Sequence, residues 1–148
     1  MELIEEFQFR VKVAPVKFSG EGPMGQRAII DILGGEVTGA RIRGRLGTGI
    51  ECPLITSDGF LRINARTHIE TDDGAIIYLD YSGLLEMNPL LREALDNGKS
   101  TEFGDQYCFI NPRLETGDER YSWVNTTFFV AQARSLPEGP EYRVWRAS

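Results

Sequence analysis

The chain has 148 residues, of which 41% are hydrophobic and 26% charged, and this balance excludes a disordered polypeptide and a bundle of membrane helices. A formal net charge of -6 argues against nucleic acid as a partner, because phosphate recognition needs a basic surface. Two cysteines and an N-terminus without signal-peptide features predict a cytoplasmic protein with reduced thiols. We therefore expect one domain over residues 1–148 that binds small molecules or copies of itself.

Short apolar runs punctuated by glycine predict strands along most of the chain. The first run, residues 7–13, alternates with period two and places Phe7, Phe9, Val11 and Val13 on one face. We predict the other strands over residues 27–33, 36–46, 59–70, 75–81, 106–115, 121–133 and 142–147. Many short strands joined by short loops favour a sandwich or a closed barrel. We predict an all-β fold, a single antiparallel β-barrel of about eight to ten strands with one short inserted α-helix.

The inserted helix is predicted over residues 88–98, "NPLLREALDNG". Asn88 is a favourable N-cap, Pro89 suits the first helical position, and Gly98 suits the position after the last turn. Its leucines and Ala94 form an apolar stripe that must lie against another element. We expect this helix to plug or cover one end of the barrel.

The turn "DDG" decides the register of the hairpin that joins residues 59–70 to 75–81. A three-residue loop with Gly74 in the left-handed position places His68 opposite Tyr78 and Arg66 opposite Asp80. That register separates polar from apolar side chains and is therefore preferred. The polar face either meets solvent or lines a cavity. The polar face comprises Arg62, Asn64, Arg66, His68, Tyr78 and Asp80, and the apolar face comprises Ile63, Ala65, Ile69, Ile77, Leu79 and Tyr81.

Two later segments favour the cavity arrangement. Alternate residues of 121–133 and of 106–115 combine large aromatic rings with a few hydrogen-bonding groups, which is the usual composition of ligand pockets. A pure core would carry fewer polar groups, and a pure surface would carry less aromatic area. These residues are Tyr121, Trp123 and Asn125 in the first segment and Tyr107, Phe109 and Glu115 in the second.

Four stretches stand out, in order and over nearly the whole chain: "GPMGQR" (22–27), "GG" (34–35), "INARTHIETDDGAIIYLDYSG" (63–83) and "LETGDERYSWVNTTFFVAQA" (114–133). Together they resemble the domain of unknown function 3237 family (DUF3237), also known as the UPF0311-type proteins. The resemblance implies a compact β-barrel of bacterial or fungal origin and no established activity.

The family positions that carry polar groups match Arg66, Glu115, Trp123 and Asn125, and the resemblance therefore points to these side chains as pocket residues. Two departures are Asn64, where relatives often carry aspartate, and Leu114, where they often carry phenylalanine. A third is "RLGTGIECP" (45–53), where relatives tend to carry a Gly-Gly-Ala-Asp-Trp-like motif. If this segment borders the pocket, the ligand or the reaction differs from that of relatives.

Other kinds of site fit the sequence less well. "GEGPMG" (20–25) has the spacing of a dinucleotide-binding loop but contains Pro23 and is followed by no crossover helix, so a tight loop at the barrel rim is the better interpretation. One histidine and two distant cysteines are too few for a zinc site, and "TDDG" is explained as a turn. Cys108 lies on the opposite parity from Tyr107 and is expected to pack as a small apolar residue.

Acid–base chemistry without a cofactor is the most credible activity. A carboxylate buried in an aromatic pocket has its charged form disfavoured, and Glu115 is predicted to transfer a proton in this way. Arg66 would neutralise an enolate or a carboxylate, and Tyr107 or His68 would donate a proton. The alternative for Arg66 and Glu115 is a structural ion pair within the barrel. The predicted substrate-binding residues are Arg27, Asn64, His68, Tyr78, Tyr121, Trp123 and Asn125.

We thus predict a barrel that binds a small oxygenated or aromatic metabolite and acts as an isomerase, cyclase or lyase. No cofactor and no metal are expected. The competing prediction is a non-catalytic binding or carrier protein. An apolar outer face of the sheet would favour a homo-oligomer, a dimer or trimer, in either case.

Overall fold

The computed structural model describes residues 1–148 and contains eleven strand segments, one α-helix and one 3₁₀ helix. The strands are β1 Leu3–Val13, β2 Lys17–Gly22, β3 Gly25–Gly39, β4 Gly44–Leu46, β5 Gly49–Glu51, β6 Leu54–Ile55, β7 Phe60–Thr71, β8 Ile76–Glu86, β9 Cys108–Glu115, β10 Phe129–Leu136 and β11 Gly139–Ala147. The α-helix, α1, is Pro89–Asn97, and the 3₁₀ helix is Glu119–Thr126. None of the helices is long and apolar enough to cross a membrane.

The sheet closes on itself because β3 pairs with β1 at the far end of the order β1-β11-β10-β9-β8-β7-β4-β3. The segments β4, β5 and β6 follow one another between β3 and β7 and together act as one stave of the barrel. The result is a closed antiparallel barrel of eight staves, with β2 extending β3 beyond it. The predicted fold class is confirmed.

The β7–β8 hairpin has the predicted register. His68 lies opposite Tyr78 and Arg66 opposite Asp80, and the Thr71 N–H donates to the Ala75 carbonyl at 2.9 Å. The burial pattern explains why this register is stable, since alternate residues of both strands are almost fully enclosed. The enclosed side chains point into the barrel and are apolar except for Thr67 and Thr71.

The barrel interior is filled rather than hollow along most of its length. Ile69, Ile77 and Leu79 have no measurable exposure, and the aromatic rings of Phe7 and Phe9 pack against them from β1. Each such side chain contributes about 1.5–3 kcal/mol to folding. This packing is why the apolar face of the hairpin turns inward and its polar face meets solvent.

The predicted helix is confirmed, with Asn88 as the N-cap. The Asn88 side chain accepts a hydrogen bond from the Leu91 N–H at 3.0 Å, and Gly98 ends the helix with φ of 62°. The helix follows the end of β8 and precedes β9, so it lies at the barrel end opposite the β7–β8 turn. Only Leu91 and Ala94 of the predicted apolar stripe are buried.

Two predicted strand boundaries are wrong. The predicted boundary at Gly34-Gly35 does not exist, because β3 runs through both glycines to Gly39. Gly35 has φ of 157°, and a Cβ there would lie 1.8 Å from the Arg10 carbonyl oxygen, so glycine allows β1 to approach closely. The predicted strand 121–133 begins only at Phe129.

The first part of that predicted strand is the 3₁₀ helix. The Asp118 side chain accepts a hydrogen bond from the Arg120 N–H at 3.0 Å and caps it. The helix closes the barrel end nearest the β7–β8 turn, where the Tyr121 hydroxyl donates to Asp73 at 2.8 Å. Alternate residues of 121–126 therefore do not share one face, contrary to the prediction.

The segment "GEGPMG" forms the turn between β2 and β3. Gly22 lies opposite Gly25, and Pro23-Met24 are the two residues of the turn. The interpretation as a tight loop is confirmed. Strands β2, β5 and β6 were not predicted, because segments of two to six residues show no usable periodicity.

Candidate functional site

One carboxylate lies inside the barrel. Glu51 ends β5 between β3 and β7, opposite Ile30 on one side and Ala65 on the other. Because opposed residues share a face of the sheet, Glu51 points inward with Ala65, while Ile50 points outward. Only 8% of Glu51 is exposed.

Burial has a large effect on this carboxylate. It raises the pKa of Glu51 from the ordinary 4.5 to about 7, and no cation or hydrogen-bond donor offsets the loss of water. A carboxyl group with a pKa near neutrality exists in both protonation states and can take and return a proton. Glu51 therefore has the property that the sequence analysis expected of Glu115.

Aromatic rings form the wall next to Glu51. Tyr81 lies on β8, opposite Ala65, and its ring centroid is 5.4 Å from that of Tyr142 and 5.9 Å from that of Phe9. The Phe9 and Tyr142 rings stack at 4.8 Å. The Tyr81 hydroxyl is buried and makes no hydrogen bond of ordinary geometry, although the Tyr142 side chain is close enough to influence its pKa. Burial, and after it the charge of Glu51, raises the pKa of Tyr81 well above its usual value, so the hydroxyl stays protonated.

Cys108 completes this interior group. It is 2% exposed at the start of β9, and burial followed by the Glu51 charge raises the pKa of its thiol to about 12. The thiol is therefore protonated near neutrality and is a poor nucleophile. The expectation that Cys108 packs as a small apolar residue is confirmed. We call Glu51, Tyr81, Tyr142 and Cys108 the interior polar cluster.

The polar face of the hairpin lies outside the barrel. Arg66 and Asn64 are exposed, and His68 and Tyr78 are about one third exposed. The placement of these side chains on the inner wall of a pocket is thus wrong, because the apolar side chains of the same strands occupy the interior. Their role in ligand binding stays a prediction.

Three of the predicted site residues meet in an open cleft on this outer face. Glu115 lies opposite Tyr78 in the β8–β9 pairing, and Asn125 of the 3₁₀ helix lies beside them. We call this the outer cleft. It is lined by Ile76, Tyr78, Glu115, Thr116, Gly117 and Asn125.

Ion pairs on the outer face differ from the predicted pair. Arg113 donates two hydrogen bonds to Asp80, at 2.8 and 3.0 Å, and the Tyr78 hydroxyl donates a third at 3.1 Å. Arg66 and Glu115 make no salt bridge with one another, so the structural ion pair is not formed. Their exposed charges remain free to meet a ligand.

The single histidine has a local structural contact. His68 Nε2 lies 3.2 Å from Glu70 Oε2, and Arg45 donates to Glu70 Oε1 at 2.9 Å. These contacts, that of Arg45 first, hold the pKa of Glu70 below its ordinary value. The imidazole lies directly over Gly47, where a Cβ would be 2.1 Å from the ring.

The remaining predicted residues do not converge. Tyr107 precedes β9 and lies six residues before Arg113. The two residues are therefore about 20 Å apart along an extended strand. The Arg41 guanidinium stacks 3.6 Å from the Trp123 ring centroid. Arg27 donates to the Cys52 carbonyl at 2.8 Å. No group of three or more metal-ligating side chains is present.

The family model described as "Protein of unknown function (DUF3237)" matches residues 1–147. The chain belongs to this family. A UPF0311 protein of Bradyrhizobium diazoefficiens is 35% identical over 127 residues, which cover 86% of this chain and 84% of that protein. A UPF0311 protein of Clostridium acetobutylicum is 29% identical over 150 residues, 100% of this chain and 95% of that protein.

Solved structures show the same barrel fold. A conserved protein of unknown function from Rhodopseudomonas palustris has a TM-score of 0.89 and 30% identity, covering 98% of this chain and 96% of that one. A β-barrel-like protein from Acinetobacter baumannii has a TM-score of 0.82 and 31% identity over 98% and 94% of the two chains. A protein of Penicillium herquei described as an enzyme shares the fold, with a TM-score of 0.76 at 20% identity over 99% and 94%.

Sequence reasoning missed the interior polar cluster of this DUF3237 protein. Glu51 is a single acid between Ile50 and Cys52 in a three-residue strand, and nothing in so short a segment tells an inward side chain from an outward one. One signal was available, since Glu51 lies in the segment 45–53 where the chain departs from the DUF3237 pattern. Tyr81 was placed correctly on the apolar face of the hairpin, but without a polar partner it was counted as core.

Proposed function

We propose that the protein binds a small oxygenated organic metabolite and catalyses a cofactor-independent proton transfer on it, as an isomerase, cyclase or lyase. The observation that carries the proposal is the Glu51 carboxyl group, buried without a partner and close enough to the Tyr81 hydroxyl for its charge to raise the pKa of that hydroxyl. Such groups are costly to keep in a protein interior and are concentrated at functional sites.

The roles follow from the two side chains. Glu51 removes a proton from a carbon next to a carbonyl group and later returns it to another atom of the same molecule. The Tyr81 hydroxyl donates a hydrogen bond to the oxygen that becomes negative when that proton leaves. A donor of this kind contributes about 100- to 1,000-fold to a rate, because it is already oriented in a dry site.

Side chains fill most of this barrel, so a ligand at the interior polar cluster requires some of them to move aside. A barrel of eight strands has an interior wide enough for its own side chains or for one small ligand. Next to the interior polar cluster the staves carry small residues, Ala65 beside Glu51 and Ala133 beside Tyr142. The Penicillium herquei protein with this fold is described as an enzyme, which supports a catalytic role for the barrel.

The competing function is a non-catalytic binding or carrier protein. We would incubate the protein with a panel of hydroxylated aromatic ketones in D₂O and follow loss of the C–H signal next to the carbonyl by proton NMR. Catalysis predicts exchange faster than in buffer, abolished in Glu51→Gln. Binding measured by calorimetry without any exchange would identify a carrier instead.

Glu115→Gln is the matched control. It makes the same chemical change on an exposed carboxylate of the outer cleft. We expect Glu115→Gln to retain exchange. The opposite result, with exchange lost in Glu115→Gln and kept in Glu51→Gln, would move the reaction to the outer cleft, where Tyr78 would be the donor.

A further inference from the structure

The stave formed by β4, β5 and β6 contributes no side chain to the hydrophobic core after its first piece. None of the 24 core side chains lies between Leu46 and Ile63. Within this stretch, β5 carries Ile50 outward, where it is 41% exposed, and Glu51 inward. Segments that bury few apolar side chains open at a lower free energy than the rest of a fold. We call residues 47–53 the β5 segment.

Backbone hydrogen bonds hold the β5 segment to its neighbours. The Gly47 N–H donates to the His68 carbonyl of β7 at 2.8 Å. At the other end, the Cys52 N–H donates to the Asn64 carbonyl of the same strand at 2.9 Å. Between these two bonds, β5 pairs with β3 through three residues and with β7 through two. The segment can therefore leave the sheet by breaking backbone bonds, without taking a core side chain of its own into water.

Glu51 has no charged neighbour in the interior. The titratable groups that face it are Tyr81 on β8, Cys108 on β9 and Tyr142 on β11, and burial raises the pKa of each, so all three stay protonated near neutrality. The residues opposite it on β3 and β7 are uncharged. Loss of water is the one cause of its raised pKa. An ionised Glu51 can therefore be stabilised only by contact with water.

The Glu51 carboxylate already lies close to solvent. It makes no hydrogen bond, and it is not among the unpaired side-chain polar atoms that are sealed from solvent, which are the Tyr81 hydroxyl and Gln106 Oε1. The carboxylate oxygens thus touch solvent-accessible space, in agreement with the 8% exposure of the residue. Outward displacement of β5 would widen this contact.

We propose that the β5 segment is a gate, which opens locally when Glu51 loses its proton and admits water and small molecules to the interior polar cluster. The inference rests on the proposed function, because it supplies the entrance that a filled barrel otherwise lacks. Opening hydrates the carboxylate, so ionisation shifts the equilibrium toward the open form. Protonation of Glu51 returns the segment to the sheet.

Native-state hydrogen exchange measures the opening. The reporters are the Gly47 and Cys52 amides, and the references are the amides that pair β10 with β11. After correction for intrinsic exchange, the opening equilibrium of the reporters should increase about tenfold from pH 6 to pH 8, because the carboxyl pKa is about 7 in the closed form and 4.5 in water. Low concentrations of urea should leave the reporters unchanged, since local opening exposes little surface.

Two substitutions of the same chemical kind separate Glu51 from other carboxylates. Glu51→Gln should abolish the increase with pH. Glu21→Gln, on the exposed strand β2 outside the barrel, should keep it. Thermal unfolding of each variant checks that it folds.

Admission of a small molecule is measured at Cys108. In a Cys52→Ser background Cys108 is the only thiol, and it lies in the interior polar cluster. At pH 8, N-ethylmaleimide should modify Cys108 at least about tenfold faster when residue 51 is glutamate than in Glu51→Gln. Comparison at one pH cancels the ionisation of the thiol itself.

Two results would overturn the inference. One is reporter exchange that rises with urea as steeply as that of the β10–β11 amides, since opening would then be global. The other is an unchanged pH dependence, or unchanged labelling of Cys108, in Glu51→Gln. The proposed function fails separately. A gate that opens as expected in a protein without C–H exchange leaves the inference in place, and C–H exchange without local opening refutes the gate alone.

Discussion

Two glutamates of the barrel differ in chemistry because their surroundings differ. Glu115 keeps its contact with water on the outer face, whereas Glu51 is enclosed by aromatic rings and has no counter-charge. The ionised form of Glu51 is therefore the less favourable one in the folded protein and is fully solvated in the unfolded chain. The same feature that suits Glu51 to proton transfer must lower stability at neutral pH.

We predict that ionisation of Glu51 lowers the free energy of unfolding in a pH-dependent way. Between pH 4.5, its ordinary pKa, and the folded-state pKa of about 7, the folded state binds the proton and the unfolded state does not. The free energy of unfolding therefore falls as pH rises through this window, by about 3 kcal/mol in total from this group. Urea unfolding of the wild type and of Glu51→Gln, at about pH 5 and about pH 8, measures the difference.

Glu51→Gln should remove this fall in the free energy of unfolding with rising pH. Carboxylates such as Asp58 and Asp73, with pKa values lowered by hydrogen bonds, are ionised in both states throughout that range and do not mask it. Parallel pH dependences in the wild type and the variant would show that Glu51 ionises as it does in water.

Gly47 supports the position of His68. A Cβ at residue 47 would occupy the place of the imidazole ring, so we predict that Gly47→Ala displaces His68 from Glu70 and lowers the free energy of unfolding by about 1 kcal/mol. The measurements are denaturant unfolding and the NMR signals of the ring. Gly117→Ala, where the added Cβ meets nothing within 4 Å, is the control. If Gly47→Ala lowers the free energy of unfolding by the same amount in a His68→Ala background, the imidazole ring is not what the new Cβ displaces.

At the scale of elements, the link between β9 and the 3₁₀ helix depends on one amide. Asn125 Oδ1 accepts from the Thr116 N–H, and Asn125 Nδ2 donates to the Thr116 carbonyl, both at 2.9 Å. The side chain thus acts as a backbone partner where the chain leaves the sheet. The Asn125 side chain therefore has a structural function in addition to its predicted role in orienting a ligand.

We predict that Asn125→Ala lowers the free energy of unfolding by about 1–2 kcal/mol, because both bonds to Thr116 are lost. Chemical denaturation measures it. Asn97→Ala serves as the control, since that exposed amide makes a single bond to the Glu93 carbonyl within α1. Equal stability of the two variants would contradict the structural role of Asn125.

The accuracy of the predicted elements varies with the strength of the local signal. The hairpin register followed from "DDG" and twelve alternating positions, and α1 followed from Asn88, Pro89 and Gly98. Residues 121–126 were wrongly predicted as a strand because aromatic side chains alternate there by chance. The hydrogen bonds that fold the segment involve Asp118 and Asn125 instead. Local bonds from side chains to the backbone leave no periodic pattern in a sequence.

At the scale of the whole molecule, the exposed apolar surface predicts self-association. Tyr107, Phe109 and Leu84 are between 36% and 52% exposed, and the Tyr107 ring centroid lies 4.8 Å from that of Phe109. We propose that a second copy of the chain covers this patch. Light scattering after gel filtration should show a dimer or trimer, and Phe109→Lys should give a monomer.

Leu90→Lys is the control for that variant, because Leu90 is equally apolar and 53% exposed but lies on α1. It should leave the oligomer intact. A wild-type protein that stays monomeric at every concentration would exclude the patch as a self-association surface.

The presence of a carboxylate in an aromatic environment could be predicted from the sequence, but its position could not. A carboxylate in an aromatic environment was expected at Glu115, and one exists at Glu51. The predicted burial of Glu115 was wrong because closure of the barrel decides which set of alternate residues is enclosed. Closure in turn depends on pairings between distant segments such as β1 with β3. Short segments acquire their orientation only from those pairings.

The three-piece stave formed by β4, β5 and β6 has a consequence for how the family diversifies. Seven staves are single strands, whose register would shift along their whole length after an insertion or deletion. The interrupted stave can absorb such changes in the breaks between its pieces, and its middle piece holds Glu51. In relatives, we expect insertions and deletions at these breaks, which change the surroundings of Glu51 and leave the register of the other seven staves intact.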